Sequence, residues 1–421
     1  MRYTTLTETE HTHLTRVSPL NPEIIRVAFT VRIPDFKTIH TESSLSLYAA
    51  LAQAGTTKKT KQAFTTYLRK HGISLEVSAG KGIISFTLSV RKVNIPYAVT
   101  LLNEIIFSPA LFLDEIKAKK MLLLEDNRES RDDAKLIARI AFHNMLYPVS
   151  SFLHEQTLDA SLAEIKGLSE KSLTKLHTAI QKGEWYITLV SDREGEEMFA
   201  PLITALNAHG GKVPRPVSNA TAGKSNHTFV TVPGKTNVEV RIGNVIPITP
   251  LHTDYEALRF GIDVLGKVGG FSGRLMSTVR EKEGLTYGIY ATTVELNPES
   301  TIHWNIYTFF AAKDLKKGLA ATRREIERII AKGITHKELT TFKDIIKNQY
   351  LISHESNMRR LSTYHALSVR GYSETTLIER MTRLQTLTLR EINAALRTYI
   401  DSEKLIMSGA GPVSKEGEGT A

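Results

Sequence analysis

Arg280 and Tyr287 are the two side chains whose types and spacing best suit a chemical role. A guanidinium carries five N–H donors in a fixed fork and a phenol carries one O–H donor, so the pair could hold peptide carbonyls or an oxyanion. Gly284, between them, predicts the end of the helix that bears Arg280 and precedes the strand-like segment that bears Tyr287. A loop that can approach a ligand closely comes just before this unit and contains Gly266, Gly269, Gly270 and Gly273.

A purely structural interpretation of the same two residues is open on the sequence alone. Arg280 could complement the partial negative charge at a helix C-terminus, and Tyr287 could pack in the core. The residue types favour neither interpretation over the other.

The sequence contains no complete motif for the other chemistries that we considered. The chain has no cysteine, which excludes disulfides, thiolate metal sites and cysteine nucleophiles. A zinc hydrolase motif reads His-Glu-x-x-His or His-x-x-Glu-His, and neither His154-Glu155 nor His354-Glu355 is followed by residues that complete it. A phosphate-binding Gly-x-x-x-x-Gly-Lys loop and a Gly-x-Ser-x-Gly nucleophile turn are also missing from the sequence. The sequence therefore predicts no metal and no cofactor in this chain.

Composition and charge are typical of a soluble globular protein. The 421 residues are 41% hydrophobic, enough for two or three domain cores, and the net charge is +10. Lys and Arg are dispersed, which favours a solvated basic surface over a nucleic-acid patch, and Arg128 and Arg131 within the acidic stretch 125–133 favour an ion-paired helix over a divalent-ion site. The first thirteen residues are polar and no apolar stretch approaches the roughly 20 residues that span a bilayer. We expect a cytoplasmic protein without a membrane segment.

The order of predicted elements repeats once along the chain. Strands, two helices, strands and a long helical region in the first half recur in the second, on either side of a linker-like stretch. This order predicts an α+β fold of two homologous domains, 1–208 and 227–421, joined by a linker at 209–226. Within them we expect a long helical tract at 112–146, broken near 125–133, and one long helix at 336–371.

The segment Val264-Leu-Gly-Lys-Val-Gly-Gly-Phe-Ser-Gly-Arg-Leu, followed by Val279-Arg-Glu-Lys-Glu-Gly-Leu-Thr-Tyr287, resembles the C-terminal-domain signature of the pitrilysin/insulinase family of zinc peptidases. The resemblance extends over nearly the whole chain. It implies two homologous domains, each a mostly antiparallel sheet covered by helices, and a chamber built from about four such domains, which here would take two chains.

The same resemblance implies that half of the family's active site is missing. Catalytic members carry His-x-x-Glu-His shortly before a Gly-Thr pair, which is present here as Gly55-Thr56. The five positions of the zinc motif are occupied by Ser46, Leu47, Tyr48, Ala49 and Ala50, so both histidines and the water-activating glutamate are absent. Glu125 stands about where the third zinc ligand belongs, and Arg280 and Tyr287 match the family's substrate-binding pair.

We therefore expect a metal-free subunit of a heterodimeric peptidase, inactive alone, that binds an unfolded peptide and completes the site of a zinc-bearing partner. The alternative is a catalytically inactive scaffold that resembles the core proteins of respiratory complexes. A third and weaker alternative is a basic nucleic-acid binder, for which binding would fall steeply with salt.

Overall fold

The computed structural model describes residues 3–8, 11–218, 220, 226–266 and 273–414. The chain forms two compact units, each composed of three segments. The first unit contains residues 1–127, 159–215 and 350–374, and the second contains 128–158, 216–349 and 375–421. Segment 128–158 thus lies in the first half of the sequence but belongs to the second unit, and segment 350–374 lies in the second half but belongs to the first unit.

The first unit is built on a six-stranded sheet in the order β1-β2-β6-β3-β5-β4. Only the β2–β6 pair is parallel; the other neighbours are antiparallel. The strands are β1 (Tyr3–Glu8), β2 (Thr12–Val17), β3 (Ile24–Arg32), β4 (Ser74–Gly80), β5 (Ile83–Arg91) and β6 (Glu184–Val190). The helices of this unit are α1 (Glu42–Ala52), α2 (Lys61–Lys70), α3 (Ile95–Phe107), α4 (Leu113–Glu129, whose last two residues fall in the second unit), α6 (Leu158–Gly167), α7 (Glu170–Gln181), α8 (Arg193–His209) and α12 (Asn357–Arg370).

The second unit repeats this architecture on a five-stranded sheet in the order β7-β11-β8-β10-β9, in which only β7 and β11 are parallel. Its strands are β7 (Asn226–Thr231), β8 (Asn237–Ile246), β9 (Ile289–Val294), β10 (Ile302–Ala311) and β11 (Ile406–Gly411). Its helices are α5 (Ala134–Leu146), α9 (Tyr255–Gly266), α10 (Leu315–Lys332), α11 (His336–Ile352, whose last turn falls in the first unit), α13 (Thr376–Thr386) and α14 (Leu389–Tyr399), with a π-helix at Met276–Lys282. Two domains of mostly antiparallel sheet covered by helices are therefore confirmed.

Strand alternation gives each sheet one apolar and one polar face. In β3, the side chains of Ile25, Val27, Phe29 and Val31 are fully buried in the core that the helices cover. Thr30 and Arg32 point to the other face, as do Glu239 and Arg241 of β8 in the second unit. Thr30 and Arg32 are buried and Glu239 and Arg241 are half-buried, so the polar faces need a cover that satisfies their hydrogen bonds.

The segments that come from the opposite half of the sequence supply these covers. Helix α12 packs on β2, β3 and β6 of the first unit, and α5 packs on β7, β8 and β11 of the second. His365 of α12 hydrogen-bonds with the hydroxyls of Thr30 (2.6 Å) and Thr188 (2.9 Å). In the second unit, Tyr147, just after α5, hydrogen-bonds with Nδ1 of the fully buried His303 (2.5 Å).

The long helix expected at 336–371 is wrong: residues 353–356 separate α11 from α12, and Ser356 caps α12 through its hydroxyl. The expected break in the tract at 112–146 is present, because a single 3-10 turn at Ser130–Asp132 ends α4 and the Asp133 side chain caps α5. Each interruption follows within a few residues of the point where the chain passes from one unit to the other, at 127/128 and at 349/350. Among the described helices, none has the length and apolar character needed to cross a bilayer.

Burial of the His365 imidazole predicts a pH-dependent stability. Burial lowers the pKa of His365 to about 4, below its ordinary value of 6.5. A lowered histidine pKa means that the unfolded chain binds the proton more tightly, so the contribution is complete above about pH 6.5 and is lost as the pH falls towards 4. From pH 7 to pH 5 the wild-type protein should lose about 2 kcal/mol more unfolding free energy than a His365→Gln variant.

Urea unfolding at the two pH values measures this difference. Glutamine can hydrogen-bond both threonine hydroxyls but does not titrate. The matched control is His336→Gln, a change at an exposed histidine at the start of α11. From pH 7 to pH 5 this variant should lose as much unfolding free energy as the wild type. Equal pH slopes for all three proteins would show that His365 stays solvated in the native state.

Candidate functional site

Arg280 and Tyr287 lie side by side at the surface of the second unit. The guanidinium carbon of Arg280 is 5.3 Å from the centre of the Tyr287 ring, which is a cation–π distance. Tyr287 is 80% exposed and Arg280 is half-buried. The core-packing interpretation of Tyr287 is therefore wrong, and the structure brings the two predicted side chains together.

A π-helix carries Arg280. Met276 and Val279 on its inner face, and Leu275 before it, are completely buried in the core of the second unit. Such a wide helical turn is rare and is frequently found at functional sites. The turn ends at Gly284 in a left-handed conformation (φ 64°), where the amide N–H of Gly284 donates to the Arg280 carbonyl (2.9 Å) and that of Leu285 to the Val279 carbonyl (3.1 Å).

The segment that bears Tyr287 is fixed on both sides. The Thr286 hydroxyl donates to the Gly288 carbonyl (3.1 Å) and the Thr308 hydroxyl of β10 donates to the same oxygen (3.1 Å). Thr286 and Gly288 are buried, so the Tyr287 side chain between them points outward. Strand β9 begins two residues later and is an edge strand of its sheet.

Gly266 and Gly273, the two described glycines of the glycine-rich stretch, lie against each other. A Cβ atom on Gly273 would lie 2.8 Å from the Cα of Gly266, and a Cβ on Gly266 would lie 2.8 Å from the backbone nitrogen of Ala291. Any larger residue at either position would push these backbones apart. Gly269 and Gly270 lie outside the described residues.

Arg274, which the sequence analysis did not single out, anchors the start of the π-helix. Its Nε and Nη2 donate to the two carboxylate oxygens of Glu338 on α11 (2.6 and 2.8 Å), and Nη2 also donates to the Gly333 carbonyl (2.7 Å). Burial would raise the pKa of Glu338, but the hydrogen bonds from Arg274 and Thr335 hold it below its ordinary value. In the sequence, only the position of Arg274 directly after Gly273 indicated that this arginine has a structural role.

The positions of the zinc motif do not fit a metal. Leu47 and Tyr48 are completely buried in the core of the first unit, and the Tyr48 hydroxyl hydrogen-bonds with His177 Nδ1 (2.9 Å). Ser46 and Ala50 are half-buried and offer no imidazole. Glu125 is exposed on α4, and the described residues include no group of three or more histidine, aspartate or glutamate side chains that could hold a metal ion. No catalytic step through zinc can be assigned to these residues.

Comparison with known proteins gives two family matches. Residues 47–152 match the model described as insulinase (peptidase family M16), and residues 189–346 match the peptidase M16 inactive domain. The chain is similar to a protein of Helicobacter pylori named as the non-peptidase homolog YmxG, with 23% identity over 85% of this chain and 82% of that protein.

Solved structures share the fold. A peptidase M16 inactive domain from Pseudomonas fluorescens superimposes with a TM-score of 0.86 at 20% identity, over 98% of this chain and 99% of that one. The periplasmic protease PqqL from Escherichia coli gives a TM-score of 0.75 at 12% identity, and the match spans 97% of this chain but 45% of that protease.

Removing the Arg274 anchor should loosen the π-helix. An Arg274→Ala variant leaves the half-buried Glu338 carboxylate without its bidentate partner, and we expect a loss of about 2 kcal/mol in unfolding free energy. Urea unfolding at pH 7 measures it. The control is Arg324→Ala, which removes an exposed ion pair with Glu283 and should cost about 0–1 kcal/mol. Equal losses in the two variants would mean that Arg274 is no anchor.

Proposed function

Because the chain belongs to peptidase family M16, we propose that it is the zinc-free subunit of a heterodimeric metallopeptidase. In this proposal a separate chain of the same family carries His-x-x-Glu-His and the zinc ion. The present chain contributes Arg280 and Tyr287, which hold an unfolded peptide substrate. Alone it has no peptidase activity.

One observation carries the proposal: Ser46, Ala49 and Ala50 stand at the His, Glu and His positions of the zinc motif and offer no metal ligand, whereas Arg280 and Tyr287 lie side by side with the Tyr287 ring 80% exposed. A tyrosine without a binding role would gain more by burying its ring than by leaving it 80% exposed. The hydrogen bonds that fix the residues on both sides of Tyr287 also support the proposal, since donors for a developing charge must be held in place in advance.

The edge position of β9 supports a role in peptide binding. An extended peptide can add to a sheet edge through main-chain hydrogen bonds, and the Tyr287 ring stands at the beginning of this edge strand. The length of the protease PqqL also agrees with the proposal, because the match to this chain spans less than half of it. We infer that a complete chamber takes a second chain of similar size.

The experiment is reconstitution with a zinc-bearing family member from the same organism, beginning with the product of a neighbouring reading frame. The mixture should cleave an unfolded peptide and lose this activity with a chelator. Arg280→Ala and Tyr287→Phe should each lower kcat by about 100-fold, since the loss of one oxyanion donor costs about 2.7–4 kcal/mol. The control is Lys282→Ala, a change at an exposed cation of the same π-helix, which should keep full activity.

Full activity in the Arg280→Ala, Tyr287→Ala double variant would refute the proposed role of the pair. The comparisons favour one alternative, because two of the similar proteins are named as a non-peptidase homolog and an inactive domain. In that alternative the chain is an assembly scaffold. The wild type, Arg280→Ala and Tyr287→Phe would then each form a complex with the partner. None of these purified complexes would cleave a peptide.

A further inference from the structure

A small cleft in the first unit lies at the C-terminal end of α12, against β2 and β6. Its volume is about 290 Å³, near the lower end of the range for small-molecule sites. Leu367, Ser368 and Gly371 of the helix end form one wall, and His13 and Tyr186 of the strands form the other. Arg215, the last residue of the unit's second segment, also lines the cleft.

The charges on the strand side of the cleft compensate each other. Glu184 accepts hydrogen bonds from Arg32 Nη1 (2.9 Å) and from His13 Nε2 (2.8 Å), and Arg32 Nη1 also lies 2.6 Å from the Tyr186 hydroxyl. Burial would raise the pKa of Glu184, but the bonds from His13 and Arg32 hold it below its ordinary value. The carboxylate is therefore ionised and neutralises Arg32, so that this ion pair leaves no excess charge towards the cleft.

Arg215 has no such compensation. In the part of the chain that the structure describes, it forms no hydrogen bond and no ion pair, although it is half-buried. Its guanidinium lies over Gly371, where a Cβ atom would stand 2.3 Å from the guanidinium carbon. The left-handed backbone of Gly371 (φ 81°) ends α12 and leaves the space that the guanidinium occupies.

We propose that this cleft binds a carboxylate carried by a small apolar or aromatic body. A guanidinium fork matches the two oxygens of a carboxylate in one plane. The hydroxyl of Ser368 is a further donor at the helix end, and Leu14, Leu367 and the Tyr186 ring offer an apolar surface for the rest of the ligand. A phosphate dianion fits less well, because Glu374 also lines the cleft and a single guanidinium does not balance two negative charges.

The carboxylate could belong to a free organic acid or to the C-terminus of a peptide, and the chemistry at Arg215 is the same for both. The proposal is independent of the role of Arg280 and Tyr287, which belong to the second unit. The competing structural role for Arg215 is to offset the partial negative charge at the end of α12, for which no ligand is needed.

Calorimetric titration of the full chain with phenylacetate, and in parallel with the uncharged isostere phenylacetamide, tests the proposal. Phenylacetate should bind saturably and at least tenfold more tightly than the amide or inorganic phosphate. A pentapeptide that ends in phenylalanine, with a free or an amidated C-terminus, distinguishes the two sources. Tight binding of the free peptide relative to phenylacetate assigns the site to chain ends, and the reverse assigns it to free acids.

Variants connect the binding to the proposed residues. Arg215→Gln should weaken phenylacetate binding by about tenfold or more, since charge-assisted hydrogen bonds are lost. Arg215→Lys keeps the charge but not the fork, so its affinity for phenylacetate should lie between those of the wild type and Arg215→Gln. Glu374→Gln should tighten binding, and Lys212→Gln, at an exposed lysine nearby in sequence, should leave it unchanged. Equal binding of acid and amide, phosphate binding as tight as phenylacetate, or unchanged binding in Arg215→Gln would overturn the proposal.

Discussion

The need to cover two faces of each sheet governs this structure. Strand alternation places an apolar face against the helices of the same unit and a polar face on the opposite side. A buried polar face is tolerated only if its hydroxyl, imidazole and carboxylate groups find partners. The chain meets this demand with helices from the opposite half of the sequence, α12 in the first unit and α5 in the second. His365 and Tyr147 make the key hydrogen bonds. Neither half of the sequence contains all the helices of its own unit.

The two halves of the expected active site lie in different local surroundings. In α1, Leu47 and Tyr48 stand at the two variable positions of the zinc motif and pack in the core, where the tyrosine hydroxyl bonds with His177. The positions of the two histidines hold the half-buried Ser46 and Ala50, and the position of the glutamate holds the buried Ala49, none of which offers a metal ligand of the motif. Arg280 and Tyr287 sit instead on a π-helix and a short anchored segment, where their side chains make no demand on the core.

Several arginines in the interior of the second unit are paired with carboxylates. Arg259 pairs with Glu256 (2.5 Å), and Arg380 pairs with Glu256 (3.1 Å) and Glu295 (2.9 Å) in the second unit. These ion pairs are largely buried, so removal of one partner would leave an uncompensated charge. Arg215 differs from them, because none of the described carboxylates pairs with it. That contrast, rather than the net charge, is what points to a ligand.

The sequence by itself determined the repeated α+β architecture and the candidate pair at 280 and 287, because periodicity, glycine positions and residue spacing are local properties. The absence of the zinc motif at 46–50 followed from the resemblance to the peptidase family. The sequence also indicated the break near residue 130, where charged residues interrupt the apolar stripe. It could not show that residues 336–371 form two helices, because the polar stretch at 353–356 is also typical of the exposed face of one continuous helix. Only the structure shows that Ser356 caps the second helix. The tertiary structure alone decided the exchange of α5 and α12, the anchor between Arg274 and Glu338, and the isolated charge of Arg215. Each of these depends on residues distant in sequence, whose proximity is fixed by packing and not by any local pattern.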